Sequence, residues 1–102
     1  MLVELRDESR DDLVEGAIFY GEQSIGLDEY FLECLRSDLT KLGTTFGIHE
    51  QYRGFHRSLS ERFPFAIYYL VADNFVDVVA ILDCRADPKT TNQRLGRTKR
   101  WR

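Results

Sequence analysis

The stretch Ser60–Asp87, SERFPFAIYYLVADNFVDVVAILDCRAD, decides the fold. Two apolar runs, RFPFAIYYLV (62–71) and FVDVVAILDC (75–84), are rich in β-branched and aromatic residues and read as strands. Asp73-Asn74 stands between them, and both residues tolerate the positive φ of a two-residue hairpin turn. That turn pairs Ala72 with Phe75 and, counting outward, Arg62 with Arg85. One face then carries Phe63, Phe65, Ile67, Tyr69 and Val71 against Val76, Val78, Ala80, Leu82 and Cys84. It holds no charge, so helices must cover it. The other face carries Arg62, Pro64, Ala66, Tyr68 and Leu70 against Asp77, Val79, Ile81, Asp83 and Arg85. It reads as partly open to solvent or to a partner. Like charges directly opposite destabilise a strand pair, on a scale of about 0.2–1 kcal/mol. Two reasons for the arginine pair stay open: Asp83 neutralises one of them, or the two guanidinium forks hold an anion. A bulge in the hairpin would undo the pairing.

Working outward, YRGFHRSL (52–59) reads as a preceding strand. A tight turn at Ser60-Glu61 would place Arg53 and Arg57 on the face of Arg62, with Phe55 and Leu59 beside them and Tyr52, His56 and Ser58 inward. LVEL (2–5) reads as a short first strand. Ser9 and Asp12 form a capping-box-like start to a helix with the stripe Leu13, Ala17, Tyr20, Ser24. SIGLD breaks it, and Asp28 is placed to cap a second helix with the stripe Phe31, Cys34, Leu35, Leu39, Leu42. The short connection makes an antiparallel helical hairpin. Asp87, Pro88 and Gly96 mark a closing helix. The expected fold class is α+β: a helical hairpin on one face of a small twisted antiparallel sheet, ordered β-α-α-β-β-β with a short C-terminal helix. The expected organisation is one domain, residues 1–96, and a loose basic tail, residues 97–102.

The chain has 102 residues, 43% of them hydrophobic, as one ordinary globular core requires. No apolar run nears the roughly 20 residues of a membrane helix. The acidic N-terminus is no secretion signal, so the cytoplasm is the expected location and no membrane partner is expected. Net charge is −3, yet residues 1–50 hold 4 Lys/Arg against 12 Asp/Glu, and residues 51–102 hold 10 against 5. The halves, −8 and +5, either attract each other or leave a basic side for an anionic partner. Cys34 and Cys84 read as reduced thiols. His49 and His56 lack ligand partners at metal spacing, so no metal and no cofactor is expected. His56 reads as a structural histidine on a strand and His49 as plain loop surface.

RFPFAIYYLV, AILDCRADP and the closing Arg94-Leu95-Gly96 together resemble the RelE/ParE family of type II toxin–antitoxin toxins, also called plasmid stabilisation proteins. DLVEGAIFYGEQSIGLDEYFLECL resembles their helical hairpin, and the resemblance spans about residues 2–96. It implies a growth-inhibiting toxin neutralised by a cognate antitoxin. RelE-like members cleave mRNA on the ribosome, usually with a tyrosine or histidine near the C-terminus. ParE-like members inhibit DNA gyrase. Arg62, Arg85 and Arg94 match family arginines and are the candidates for toxicity. Arg53, Arg57, Tyr68, Leu70 and Asp83 are candidates for antitoxin or target binding, with Tyr68, Leu70, Val79 and Ile81 as an apolar anchor. No tyrosine or histidine follows Asp83, and arginine stays charged and moves protons poorly. The reading therefore leans to a ParE-like, non-enzymatic toxin, with a RelE-like ribonuclease or a degenerate, non-toxic member as alternatives. A second family arginine is Ala86 here, and the family's aromatic in the closing helix is replaced around Thr90–Asn92. DNA would be contacted sequence-specifically only through the antitoxin, and the expected state is a monomer or weak homodimer.

Overall fold

The computed structural model describes residues 1–100; Trp101 and Arg102 of the expected tail lie outside them. The hairpin forms as Phe65–Val71 (β4) and Phe75–Asp83 (β5), closed by Ala72 N donating to Phe75 O at 2.9 Å. Near the turn the expected register holds, with Val71 opposite Val76 and Tyr69 opposite Val78. Tyr68 then pairs with Ala80, so Val79 is an extra residue, a β-bulge. Every later pair is slipped by one, to Ala66–Leu82 and Phe65–Asp83. Side chains alternate with period two, so this slip exchanges the faces. Ile81 joins the helix-side core, while Ala80 and Leu82 turn to the other side. Arg62 and Arg85 consequently do not pair, which corrects the expectation of two cross-strand arginines.

The sheet has five strands in the order β1-β5-β4-β3-β2. Leu2–Leu5 (β1) runs parallel to β5, so the sheet is mixed rather than wholly antiparallel. The stretch 52–59 divides into Gln51–Tyr52 (β2) and Phe55–Leu59 (β3). Arg53 and Gly54 turn the chain there with φ of 52° and 83°, the two positive values that a tight twisted hairpin needs. The β3–β4 connection is longer than the expected two residues, but Arg57 opposite Tyr68 keeps the expected parity.

Helix α1 is Asp7–Gln23 and starts before Ser9. Ser9 lies buried in its first turn, donating to Arg6 O at 2.7 Å and within 3.1 Å of Val78 O. Helix α2 is Leu27–Thr45, entered through Gly26 at φ 85°, with no side-chain cap from Asp28. Its Phe31, Leu35, Leu39 and Leu42 are buried as expected, against Ile67, Tyr69, Val76 and Val78. Each such side chain contributes about 1.5–3 kcal/mol by burial. The hairpin helices approach closely at Gly16, where an added Cβ would stand 2.5 Å from the Phe31 ring. Helix α3, Pro88–Gly96, is capped as expected by the Asp87 carboxylate, which accepts from Lys89 N at 2.9 Å. Its Leu95 seals a second cluster of Phe55, Ala66, Tyr68, Val79 and Ala80 on the sheet face opposite the hairpin. That face is therefore covered in its middle, not open. Among the described residues no helix is long and apolar enough to cross a membrane.

Candidate functional site

β1 covers the outer edge of β5 only as far as Val78. Beyond it the bulged strand presents backbone groups that need other partners. Arg6 N donates to Val78 O at 3.1 Å, and Asp12 Oδ2 accepts from Ile81 N at 2.9 Å. Arg94 grips the same carboxylate through two 2.8 Å bonds and donates to Val79 O at 3.3 Å. The Arg94 and Asp12 side chains are only 12% and 8% exposed. Glu8 Oε2 lies 3.1 Å from Arg94 Nε, off the hydrogen-bonding direction. Burial opposes the arginine's charge, but the Asp12 bonds outweigh it and raise the Arg94 pKa. Arg94 thus ties α3 to α1 and to the edge of β5.

Arg85 is held differently. Its Nε and Nη2 donate to Asp83 Oδ1 and Oδ2 at 3.0 and 2.8 Å, and Nη2 lies 3.2 Å from Tyr20 Oη. The Arg85 bonds hold the Asp83 carboxyl below the usual range, against partial desolvation. Asp83 therefore neutralises Arg85 while leaving its side chain 57% exposed. Arg62 sits elsewhere, in a cleft of about 230 Å³ against α2 with Tyr30, Cys34, Ser37 and Asp38. Among the described residues it makes no hydrogen bond or ion pair.

On the second face Arg57 lies beside Tyr68, 5.7 Å above the Tyr52 ring and 3.6 Å from Glu50 Oε1. Burial opposes its charge, but Tyr68 and the Cys84 thiol beside it outweigh that and raise its pKa. Its buried Nε has no hydrogen-bond partner. Burial pushes the Tyr68 hydroxyl up, with Arg57 opposing, so it stays protonated near neutral pH. Tyr52 donates to Asn92 Oδ1 at 2.6 Å. Tyr68 is 4% and Val79 1% exposed, Ile81 faces the hairpin, and only Leu70 of the expected anchor is partly open. Arg53 lies in the turn, where its carbonyl accepts from Arg100 at 3.1 Å. Arg100 also covers the Phe55 ring at 4.5 Å, and Arg6 forks Asp77 while donating to the Lys99 and Arg100 carbonyls. The described residues of the tail are therefore fastened across this face.

The candidate residues are thus scattered: Arg57 beside Tyr68 with Leu70 at the rim, Arg85 with Asp83, Arg94 with Asp12, Arg53 in the β2–β3 turn, and Arg62 alone. Sequence reasoning missed Asp12, Tyr52 and Asn92. Asp12 carried a signal, because it is in helical phase with buried Ser9 and Gly16. His49 is not plain surface. Gly47 N donates to Tyr69 Oη at 2.9 Å, and the same hydroxyl is hydrogen-bonded with His49 Nδ1 at 2.6 Å. Burial, then neighbouring His56, lowers the His49 pKa. His56, read as structural, stacks on Tyr69 at 5.0 Å.

This geometry can be set beside known proteins. No family model matches the sequence, and no curated protein matches it significantly. The structure is similar to a chain of the solved "Chromosomal ParDE TA system from P. aeruginosa", with TM-score 0.65 and 17% identity. The match covers 79% of this chain and 92% of that one. The fold is RelE/ParE-like. That bears out the expected class, with the sheet mixed and the bulge added.

Proposed function

We propose that the chain is the toxin of a type II toxin–antitoxin system, that it acts by binding DNA gyrase, and that a cognate antitoxin neutralises it. The similarity to a chain of a ParDE system supports the toxin–antitoxin part. The observation that carries the target is the state of the candidate residues. Arg94 is buried against Asp12, Arg85 is forked by Asp83, and the Tyr68 hydroxyl is held protonated. Arg94 and Tyr68 are buried, and none of the three groups is set up to move a proton near neutral pH, which disfavours RNA cleavage. Of the three, Arg85 alone stays exposed to meet a target surface. Arg57 and the exposed side of Arg85 would meet acidic antitoxin residues, with Leu70 at the rim as the apolar contact. The protein works in the cytoplasm as a monomer or weak homodimer, with residues 1–96 as its toxin domain and 97–102 as its tail.

One observation favours a second reading, a ribosome-dependent endoribonuclease. The unpartnered Arg57 Nε and the hydroxyls of Tyr52 and Tyr68 share one patch of the second face. Induced expression separates the readings from a non-toxic protein: growth should stop, and a co-expressed neighbouring gene product should restore it. Primer extension on translated mRNA should then show no new ends. Fresh ends lost on Arg57→Ala would replace the gyrase reading with the nuclease one, and unimpaired growth would remove both.

A further inference from the structure

The outward face of α1 is not what a solvated helix face usually is. Val14, Ile18 and Phe19 are 56%, 57% and 47% exposed, and Ile25, at the bend just past the helix, is fully exposed. Val14 and Ile18 are one turn apart, so they form a continuous apolar ridge. Asp11 and Glu15 precede Phe19 in the neighbouring row of one-turn spacing, and Glu22 follows Ile18 by one turn. Asp11 and Glu22 make no ion pair among the described residues. Beyond Phe19 the surface dips into a cavity of about 180 Å³ beside β5, lined by Phe65 and Ile81 with Glu15 and Asp83 at its rim. Asp83 is already bonded to Arg85, so Glu15 is the rim carboxylate that would meet the cationic head of a side chain whose aliphatic stem fills the apolar floor.

We propose that this face of α1 is a docking surface for a basic amphipathic helix of a partner protein, whose apolar side chains lie along Val14, Ile18 and Phe19 and whose Lys or Arg side chains meet Asp11, Glu15 and Glu22. Charge complementarity selects the occupant: a helix with carboxylates on its flanks would be repelled along the whole ridge. This partner is opposite in charge to the acidic segment proposed for Arg57 and Arg85. Arg57 lies on the other face of the sheet, and the two surfaces meet only at Asp83, which Arg85 forks. A second copy of the chain is a poor occupant. Among the described residues of its basic half the exposed large apolar side chains are Leu59 and Val71, which offer no ridge to match. The mode is a helix laid along an apolar stripe, with anchors at one-turn spacing.

The test uses the full chain and three fluorescent synthetic peptides of about 18 residues: a leucine/lysine amphipathic helix, the same helix with glutamate for lysine, and a composition-matched scramble without an apolar face. Fluorescence anisotropy should show micromolar binding of the first and at least tenfold weaker binding of the other two. Ile18→Asp and, separately, Glu15→Lys with Glu22→Lys should each weaken the first peptide at least tenfold, while Arg57→Ala leaves it unchanged. The α1 positions are on the surface and Arg57 is half-buried, and circular dichroism confirms that each variant is folded. Equal binding of the scramble, or binding indifferent to Ile18→Asp, would overturn the proposal. So would sedimentation showing a dimer of the unmutated chain that Ile18→Asp dissolves, because the face would then belong to a second copy.

Discussion

Removing the Asp12 carboxylate should damage the fold more than any other single polar change in α1. Asp12→Ala leaves the Arg94 guanidinium, with a side chain only 12% exposed, without its two 2.8 Å bonds. It also leaves Ile81 N without its acceptor at the bulged edge of β5. Breaking a buried pair by removing one partner costs about 3–5 kcal/mol. An orphaned buried N–H accounts for about 1–3 kcal/mol of that kind of loss. Domains of this size have about 5–15 kcal/mol in total. Glu8, 3.1 Å from Arg94, recovers part of the loss but is itself exposed, so we expect about 3 kcal/mol. Urea titration followed by circular dichroism should show the midpoint falling by about 1.5 M, for a slope of about 2 kcal/mol per molar. The double variant Asp12→Leu, Arg94→Met removes the stranded cation and should lose only about 1–2 kcal/mol, for the Ile81 amide. Asp12→Ala within about 0.5 kcal/mol of the parent would refute the assignment of this pair as a structural tie. A double variant as unstable as the two single losses added would refute the coupling.

Three further outcomes follow from other sites. Gly16→Ala would place a methyl 2.5 Å from the Phe31 ring, so thermal unfolding should show a loss of about 1–3 kcal/mol by overpacking. Tyr69→Phe strands Gly47 N and His49 Nδ1 and should cost about 1–3 kcal/mol, whereas Tyr30→Phe, at an exposed ring, should cost almost nothing. The His49 pKa is lowered by burial and then by His56, so the unfolded chain binds its proton more readily than the folded one. Stability should therefore fall as pH drops below about 6.5, and His49→Gln should flatten that slope in pH-dependent denaturation. An unchanged slope would deny the half-buried, neutral His49.

What the sequence concealed has a physical basis in the hairpin itself. Val78 to Leu82 is five apolar residues in a row, and both faces of β5 are buried there, one by the helical hairpin and one by Leu95. An unbroken apolar run carries no period-two alternation, so an extra Val79 leaves no mark in the pattern. The turn, the two strands, the stripe of α2 and the cap at Asp87 were legible because each rests on local chemistry. The parallel pairing of β1 rests on four residues and a distant partner, and nothing local encodes it. The candidate arginines were legible as charges, and Asp83 as a partner for one of them, but the partner of Arg94 was not. Arg85 found Asp83 two residues away, whereas Arg94 found Asp12 from the opposite end of the chain.

The claim that the chain is a ParE-like toxin rests most directly on gyrase. Purified gyrase should lose supercoiling activity at micromolar concentrations of the protein, and a stoichiometric amount of the cognate antitoxin should restore it. Full supercoiling at those concentrations, by a preparation that still arrests growth when expressed, would contradict the account.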